Sequence, residues 1–180
     1  MASARTAVPY SVGTQPPGFV PPPLACDCHM HVYDSAYPAA LGARLRPPDA
    51  SVDDYRLLQQ RLGTARTVVV TPSTYGTDNR CLLDALHRLG HQARGVAVID
   101  GSESGAELQR LHGAGVRGAR LNLSLGVSGS VDAIVPLSHH LADMGWHLQL
   151  LMAPELLATL GDVLRQSPVP LVFDHFGRIQ

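Results

Sequence analysis

Short apolar runs and longer amphipathic stretches alternate along most of this 180-residue chain. The apolar runs are Leu24–Cys28, Thr67–Thr71, Gly95–Ile99, Val116–Leu121, His147–Met152 and Pro170–Asp174. Several are rich in Val, Leu and Ile with little polar alternation, the pattern of parallel strands covered on both faces. The stretches between them carry helix start and stop signals. Val52–Leu62 follows Ser51 and stops at Gly63, and Asn79–Leu89 follows Thr77 and Asp78 and stops at Gly90. Ser104–Gly105–Ala106–Glu107 has capping-box spacing, and the helix it opens ends at Gly113. Val131–Met144 and Pro154–Gln166 complete the series, with Pro154 suited to a first helical turn.

Strand and helix therefore alternate about six times, which predicts a parallel α/β architecture. An open doubly wound sheet and a closed barrel both fit that alternation. No Gly-X-Gly-X-X-Gly follows the first strand, which weakens a dinucleotide-binding reading. A barrel needs eight strand–helix units and about 250 residues. The expected fold is thus α/β, a (β/α)8 TIM barrel with only about the first six units present and the C-terminal units missing. Residues 24–180 form this partial barrel. Residues 1–23, with Pro16–Pro17 and Pro21–Pro22–Pro23, are expected to be a disordered Pro-rich arm.

Charge and composition narrow the partners. The formal net charge is −1, so a phosphate-tracking surface, and with it nucleic acid, is not expected. No run of about 18 apolar residues exists to span a membrane. The arm lacks the apolar core of a secretory signal. Three cysteines, two in a Cys26-X-Cys28 pair, make a poor disulfide framework and suit a reducing cytoplasm.

The candidate chemistry sits at predicted strand ends. Alternation puts Asp27, His29 and His31 on one face of the first strand and Cys26, Cys28 and Met30 on the other, where the cysteines are expected to be buried packing. Barrel enzymes carry their chemistry at the C-terminal mouth of the strands, where His29 and His31 would converge. Two neutral imidazoles at i and i+2 are able to hold one Zn²⁺-class ion. His175 closes the sixth strand, just before Gly177, and either completes a three-histidine cluster or donates to a substrate carbonyl oxygen. Asp174 is expected to point the opposite way. Arg120 and Asn122 share a face at the end of the fourth strand, where a guanidinium binds a substrate carboxylate or an internal acidic partner. Ser73 and Tyr75 offer hydroxyls after the second strand, while Thr77 or Asp78 is expected to cap the next helix. His87, His91, His112, His139 and His140 fall on the outer ring, and His147 begins the fifth strand, at the wrong end for chemistry. No Gly-X-Ser-X-Gly elbow or phosphate loop is present.

Four motifs occur in order: Asp27–Cys28–His29–Met30–His31–Val32–Tyr33–Asp34, Thr74–Tyr75–Gly76–Thr77–Asp78–Asn79, Arg117–Gly118–Ala119–Arg120–Leu121–Asn122 and Phe173–Asp174–His175–Phe176–Gly177–Arg178. Together they resemble the amidohydrolase-related family, in the branch that hydrolyses or isomerises lactones. The resemblance implies a (β/α)8 hydrolase of a carboxylated lactone, with a sugar-acid lactone isomerase or a non-catalytic fragment as alternatives. It implies His29, His31 and His175 as the histidine cluster, which would also hold any metal. It implies Arg120 as the substrate-carboxylate arginine and Ser73 in the second substrate loop. Metal use varies within the branch, so either no cofactor or one Zn²⁺-class ion is implied. Beyond His147 the fifth strand, Leu148–Gln149–Leu150–Leu151, carries no histidine or lysine, which argues against a bridged two-metal site. The branch's catalytic base is an aspartate on strand eight, and no residue here takes that role. Leu123–Val131 lacks basic residues, which makes a dicarboxylate pyrone less secure than a lactone with one carboxylate.

Overall fold

A computed structural model describes residues 9–13, 15–124 and 129–179. Six strands form one sheet in strictly sequential order, all neighbours parallel: β1 Cys26–Met30, β2 Arg66–Val70, β3 Ala93–Ala97, β4 Val116–Asn122, β5 His147–Leu151 and β6 Leu171–Phe173. A doubly wound sheet reverses its order at a switch point, and this one does not. The sheet also curls. The His29 ring lies 3.0 Å from the Gln149 amide on β5, and its centroid is 5.5 Å from that of His175, beyond β6. A flat sheet would hold strands one and five about four strand spacings apart, roughly 19 Å. The molecule is therefore part of a (β/α) barrel.

The helices cover the outside. α1 Val52–Leu62 has both of its local signals: Ser51 and Asp54 form a reciprocal capping box, and Gly63 closes the helix at φ 77°. α2 Arg80–Leu89 starts one residue later than the pattern suggests. Asp78, not Thr77, serves its first turn, accepting from the Arg80 backbone N–H at 3.1 Å. In α3 Gly105–Gly113, Ser104 accepts from the Glu107 N–H, while the Glu107 carboxylate turns to Arg110 instead of returning to the cap. α4 is Ile134–Ala142, preceded by a 3-10 turn at Val131–Ala133.

The predicted helix Pro154–Gln166 is in fact two pieces, α5 Pro154–Thr159 and α6 Gly161–Leu164. Leu160 sits between them at φ −97°, ψ 9°. Gly161 is a poor helix former, and the Thr159 hydroxyl donates back to the Leu156 carbonyl.

One core lies between sheet and helices. Val69, Ala97, Ala119, Leu148 and Leu150 meet Leu86, Leu111, Leu141 and Trp146 there, all buried. In the arm, Arg61 of α1 donates to the Gly13 carbonyl at 2.6 Å; residues 1–8 lie outside the described residues.

Two expectations about β1 need correction. Its pairing with β2 shifts register between Asp27 and Met30, and this irregularity breaks the alternation. Asp27 therefore does not share the histidines' face; it accepts from Tyr55 Oη of α1 at 3.0 Å, on the helix side. Nor is the cysteine pair buried packing: Cys26 is half-buried and Cys28 exposed, along the edge strand of the sheet.

Candidate active site

Parallel strands deliver their C-terminal ends to one rim, and four of them bring polar side chains together. β1 supplies His29 and, just past its end, His31, with ring centroids 4.9 Å apart. β4 supplies Arg120 and Asn122, β5 supplies Gln149, and the residue after β6 is Asp174. Arg120, Asn122, Gln149 and Asp174 are all buried. Register explains the meeting of Arg120 and Gln149, which are partners across β4 and β5.

Asp174 organises the group. Arg120 donates to its Oδ2 through Nε at 2.9 Å and Nη2 at 2.8 Å. Gln149 Nε2 donates to its Oδ1. The expectation that Asp174 points away is thus overturned. The pleat ends at Phe173, and the chain then enters the left-handed region at His175 (φ 53°) and Phe176 (φ 55°). Alternation carried past Phe173 assigns Asp174 to the wrong side, while His175 still reaches the rim beside His29. Left-handed non-glycine residues cost about 1–3 kcal/mol each and concentrate at functional sites. The turn leaves His175 exposed at the mouth, beside His29.

The histidines differ in their surroundings. His31 Nδ1 lies 2.8 Å from the Val70 carbonyl oxygen, to which it donates. Burial lowers its pKa to about 4, so it is neutral at pH 7. Burial also lowers the pKa of His29, and the nearby Asp174 only partly opposes this. Its 3.7 Å approach to Asp174 Oδ1 is therefore not an ion pair at neutral pH. His29 Nδ1 is instead 3.0 Å from Gln149 Nε2, while its Nε2 is buried without a protein partner.

A shared divalent ion needs an unprotonated nitrogen from each imidazole. The Val70 carbonyl leaves His31 Nε2 in that form. The Gln149 amide takes the one unprotonated nitrogen of neutral His29. The pair as built does not fit a shared ion. Among the described residues no set of three or more His, Cys, Asp and Glu side chains is grouped for a metal.

A cavity of about 150 Å³ opens beside His31 and is lined by Tyr33, Arg44, Ser73, Arg120 and Asn122. Asn122 Nδ2 donates to Ser73 Oγ at 2.6 Å, which fixes that hydroxyl. Tyr75 is not on this wall. Its hydroxyl accepts from the Asp34 N–H at 2.9 Å and donates to the Asp34 carbonyl, and burial pushes its pKa to about 12. It thereby ties the β1–α1 loop to the β2–α2 turn. Arg44 on that loop and Gln149 on β5 are the residues that the motifs did not single out. Arg44 makes no ion pair among the described residues, in contrast to Arg120. His31 also lines a second cavity, of about 220 Å³, together with His29 and Tyr55. A larger cleft of about 470 Å³ lies at the opposite end of the strands, where Arg94 and Arg117 already donate to main-chain carbonyls.

The profile of the Amidohydrolase family matches residues 26–180, and the chain belongs to that family. It is 38% identical over 166 residues to 2-pyrone-4,6-dicarboxylate hydrolase of Comamonas testosteroni, covering 90% of this chain and 54% of that protein. It is 33% identical over 171 residues to 4-sulfomuconolactone hydrolase of Rhizobium radiobacter, covering 92% of this chain and 57% of that one. Its fold matches the crystal structure of a probable 2-pyrone-4,6-dicarboxylic acid hydrolase of Acinetobacter baumannii with citric acid bound. The TM-score is 0.79 at 27% identity, over 87% of this chain and 60% of that one. The chain thus spans about half the length of the curated relatives it matches. Among the described residues no helix is long and apolar enough to cross a membrane.

Proposed function

We propose that the protein is a hydrolase of carboxylated lactones. The observation that carries this reading is a buried, partnerless imidazole nitrogen, His29 Nε2, at a rim where His31, His175, Gln149 and the Arg120–Asp174 pair converge. Such a nitrogen is a costly orphan in the free protein and a ready partner for an oxygen that gains charge during reaction. In the proposed reaction water adds to the lactone carbonyl carbon, and the carbonyl oxygen becomes an oxyanion held at His29, with His175 at the mouth. The ring C–O bond then breaks, and the ring oxygen takes up a proton, leaving a hydroxy acid. The general base is assigned to no residue of this chain; the family resemblance gives that role to an aspartate on an eighth strand.

Substrate charge is read in the cavity beside His31. Asp174 neutralises Arg120, so Arg44 adds the uncompensated positive charge that a carboxylate needs, with the Ser73 and Asn122 side chains as further polar contacts. A single ordinary carboxylate suits one exposed guanidinium. Three free thiols, Cys26, Cys28 and Cys81, favour the cytoplasm as the compartment.

The test is turnover of carboxylated lactones by the protein at its natural length. His29→Ala should lower kcat by about 100-fold or more, the scale of a lost oxyanion donor. Unchanged turnover in a folded His29→Ala variant would overturn the proposal.

A further inference from the structure

We infer that His29 and His31 are held in opposite tautomers, so that the pair presents one hydrogen-bond donor and one acceptor instead of two metal-binding lone pairs. Gln149 is the positioning residue that sets this.

The case for His31 is direct. Its Nδ1 sits 2.8 Å from the Val70 carbonyl oxygen, which only accepts. Nδ1 therefore carries the proton, and Nε2 is the acceptor. His29 is fixed through a longer chain. Gln149 Nε2 is within bonding distance of both His29 Nδ1 and Asp174 Oδ1. Asp174 is buried in an ion pair with the Arg120 guanidinium, and as the carboxylate partner of that pair it only accepts. Turning the amide over would set its carbonyl oxygen against that carboxylate, oxygen to oxygen. The amide NH₂ must then face both partners, giving one hydrogen to Asp174 and one to His29 Nδ1. A neutral imidazole whose Nδ1 accepts has its proton on Nε2. That is the nitrogen left buried and without a protein partner.

The consequences follow by charge and geometry. The Arg120 guanidinium holds the Asp174 carboxylate, that carboxylate orients the Gln149 amide, and the amide fixes the His29 tautomer. His29 Nε2–H is thus a preorganised donor, and its natural target is the carbonyl oxygen of a lactone. Donation to a lactone carbonyl rests on the proposed function; the tautomer assignment does not.

The test is a long-range ¹H–¹⁵N spectrum of the histidine side chains in the natural-length protein at pH 7. His29 should show a pyrrole-like Nε2 and a pyridine-like Nδ1, and His31 the reverse. Gln149→Glu puts an acceptor-only group beside Nδ1 and should move the His29 proton to Nδ1. Gln149→Ala, which adds no charge beside Asp174, should remove the single-tautomer signature of His29 and leave that of His31 intact. Zn²⁺ titrated into the unmodified protein should leave the His29 Nε2 signal in place. A pyridine-like Nε2 on both histidines, or a His29 signature unchanged in Gln149→Ala, would overturn the inference. A protein with the predicted tautomers and no lactone turnover would instead count against the proposed function alone.

Discussion

Arg120 and Asp174, 54 residues apart in sequence, form a buried ion pair in which two guanidinium nitrogens meet one carboxylate oxygen at 2.8 and 2.9 Å. Both side chains are at most 4% exposed. Removing one partner strands a charge, so Asp174→Ala should cost about 3–5 kcal/mol of stability. Replacing both by apolar residues of similar volume should restore most of it. Urea unfolding of the single and double variants measures this; equal losses in both would contradict the reading.

The same pair shows what could be read from the sequence and what could not. His29 and His31 were legible because their spacing and place at a strand end are local facts. Helix α1 was legible to the residue because Ser51, Asp54 and Gly63 act within one turn. Asp174 was assigned to the wrong face because alternation holds only while the chain stays extended, and His175 leaves that region. The bulge in β1 misplaced Asp27 for a similar reason. Gln149 had a signal, an amide inside an apolar run, but its partners come from β1 and the end of β6, which only the curl of the sheet brings close. Arg44 lies on a loop with no periodicity to read.

Acid should weaken the fold through His31. Its pKa is about 4 in the native protein and 6.5 when unperturbed. Above about pH 6.5 both states are neutral and this contribution is fully present. Between 6.5 and 4 the unfolded chain takes a proton that the native site refuses, so stability falls as pH falls, by up to about 3 kcal/mol. His29 shifts in the same direction. Unfolding free energies at pH 7 and pH 4.5 give the slope, and His31→Asn should flatten it. An unchanged slope in that variant would be inconsistent with the assignment.

Gly118 leaves space for His147 at the foot of the barrel. A Cβ there would lie 2.4–2.8 Å from three atoms of the His147 ring. Gly118→Ala should therefore destabilise the protein by about 1–2 kcal/mol. His147→Ala in the same chain should relieve most of that cost, giving a non-additive double-mutant cycle. Additive effects would show that the two positions do not compete for space.

Arg44 should govern charge selection. Arg44→Ala should raise KM for a carboxylated lactone by about ten-fold, the lower end of a lost charge-assisted hydrogen bond, with kcat little changed. The methyl ester of the same lactone should be turned over equally by both forms. An equal loss on acid and ester would assign Arg44 to loop structure instead of recognition.

The most direct test of the central claim is turnover in H₂¹⁸O. Water attack on the lactone carbonyl should place one ¹⁸O in the carboxylate of a ring-opened hydroxy acid, with the signal lost in His29→Ala. Product that forms without ¹⁸O, as another lactone, would contradict hydrolysis and make the protein an isomerase.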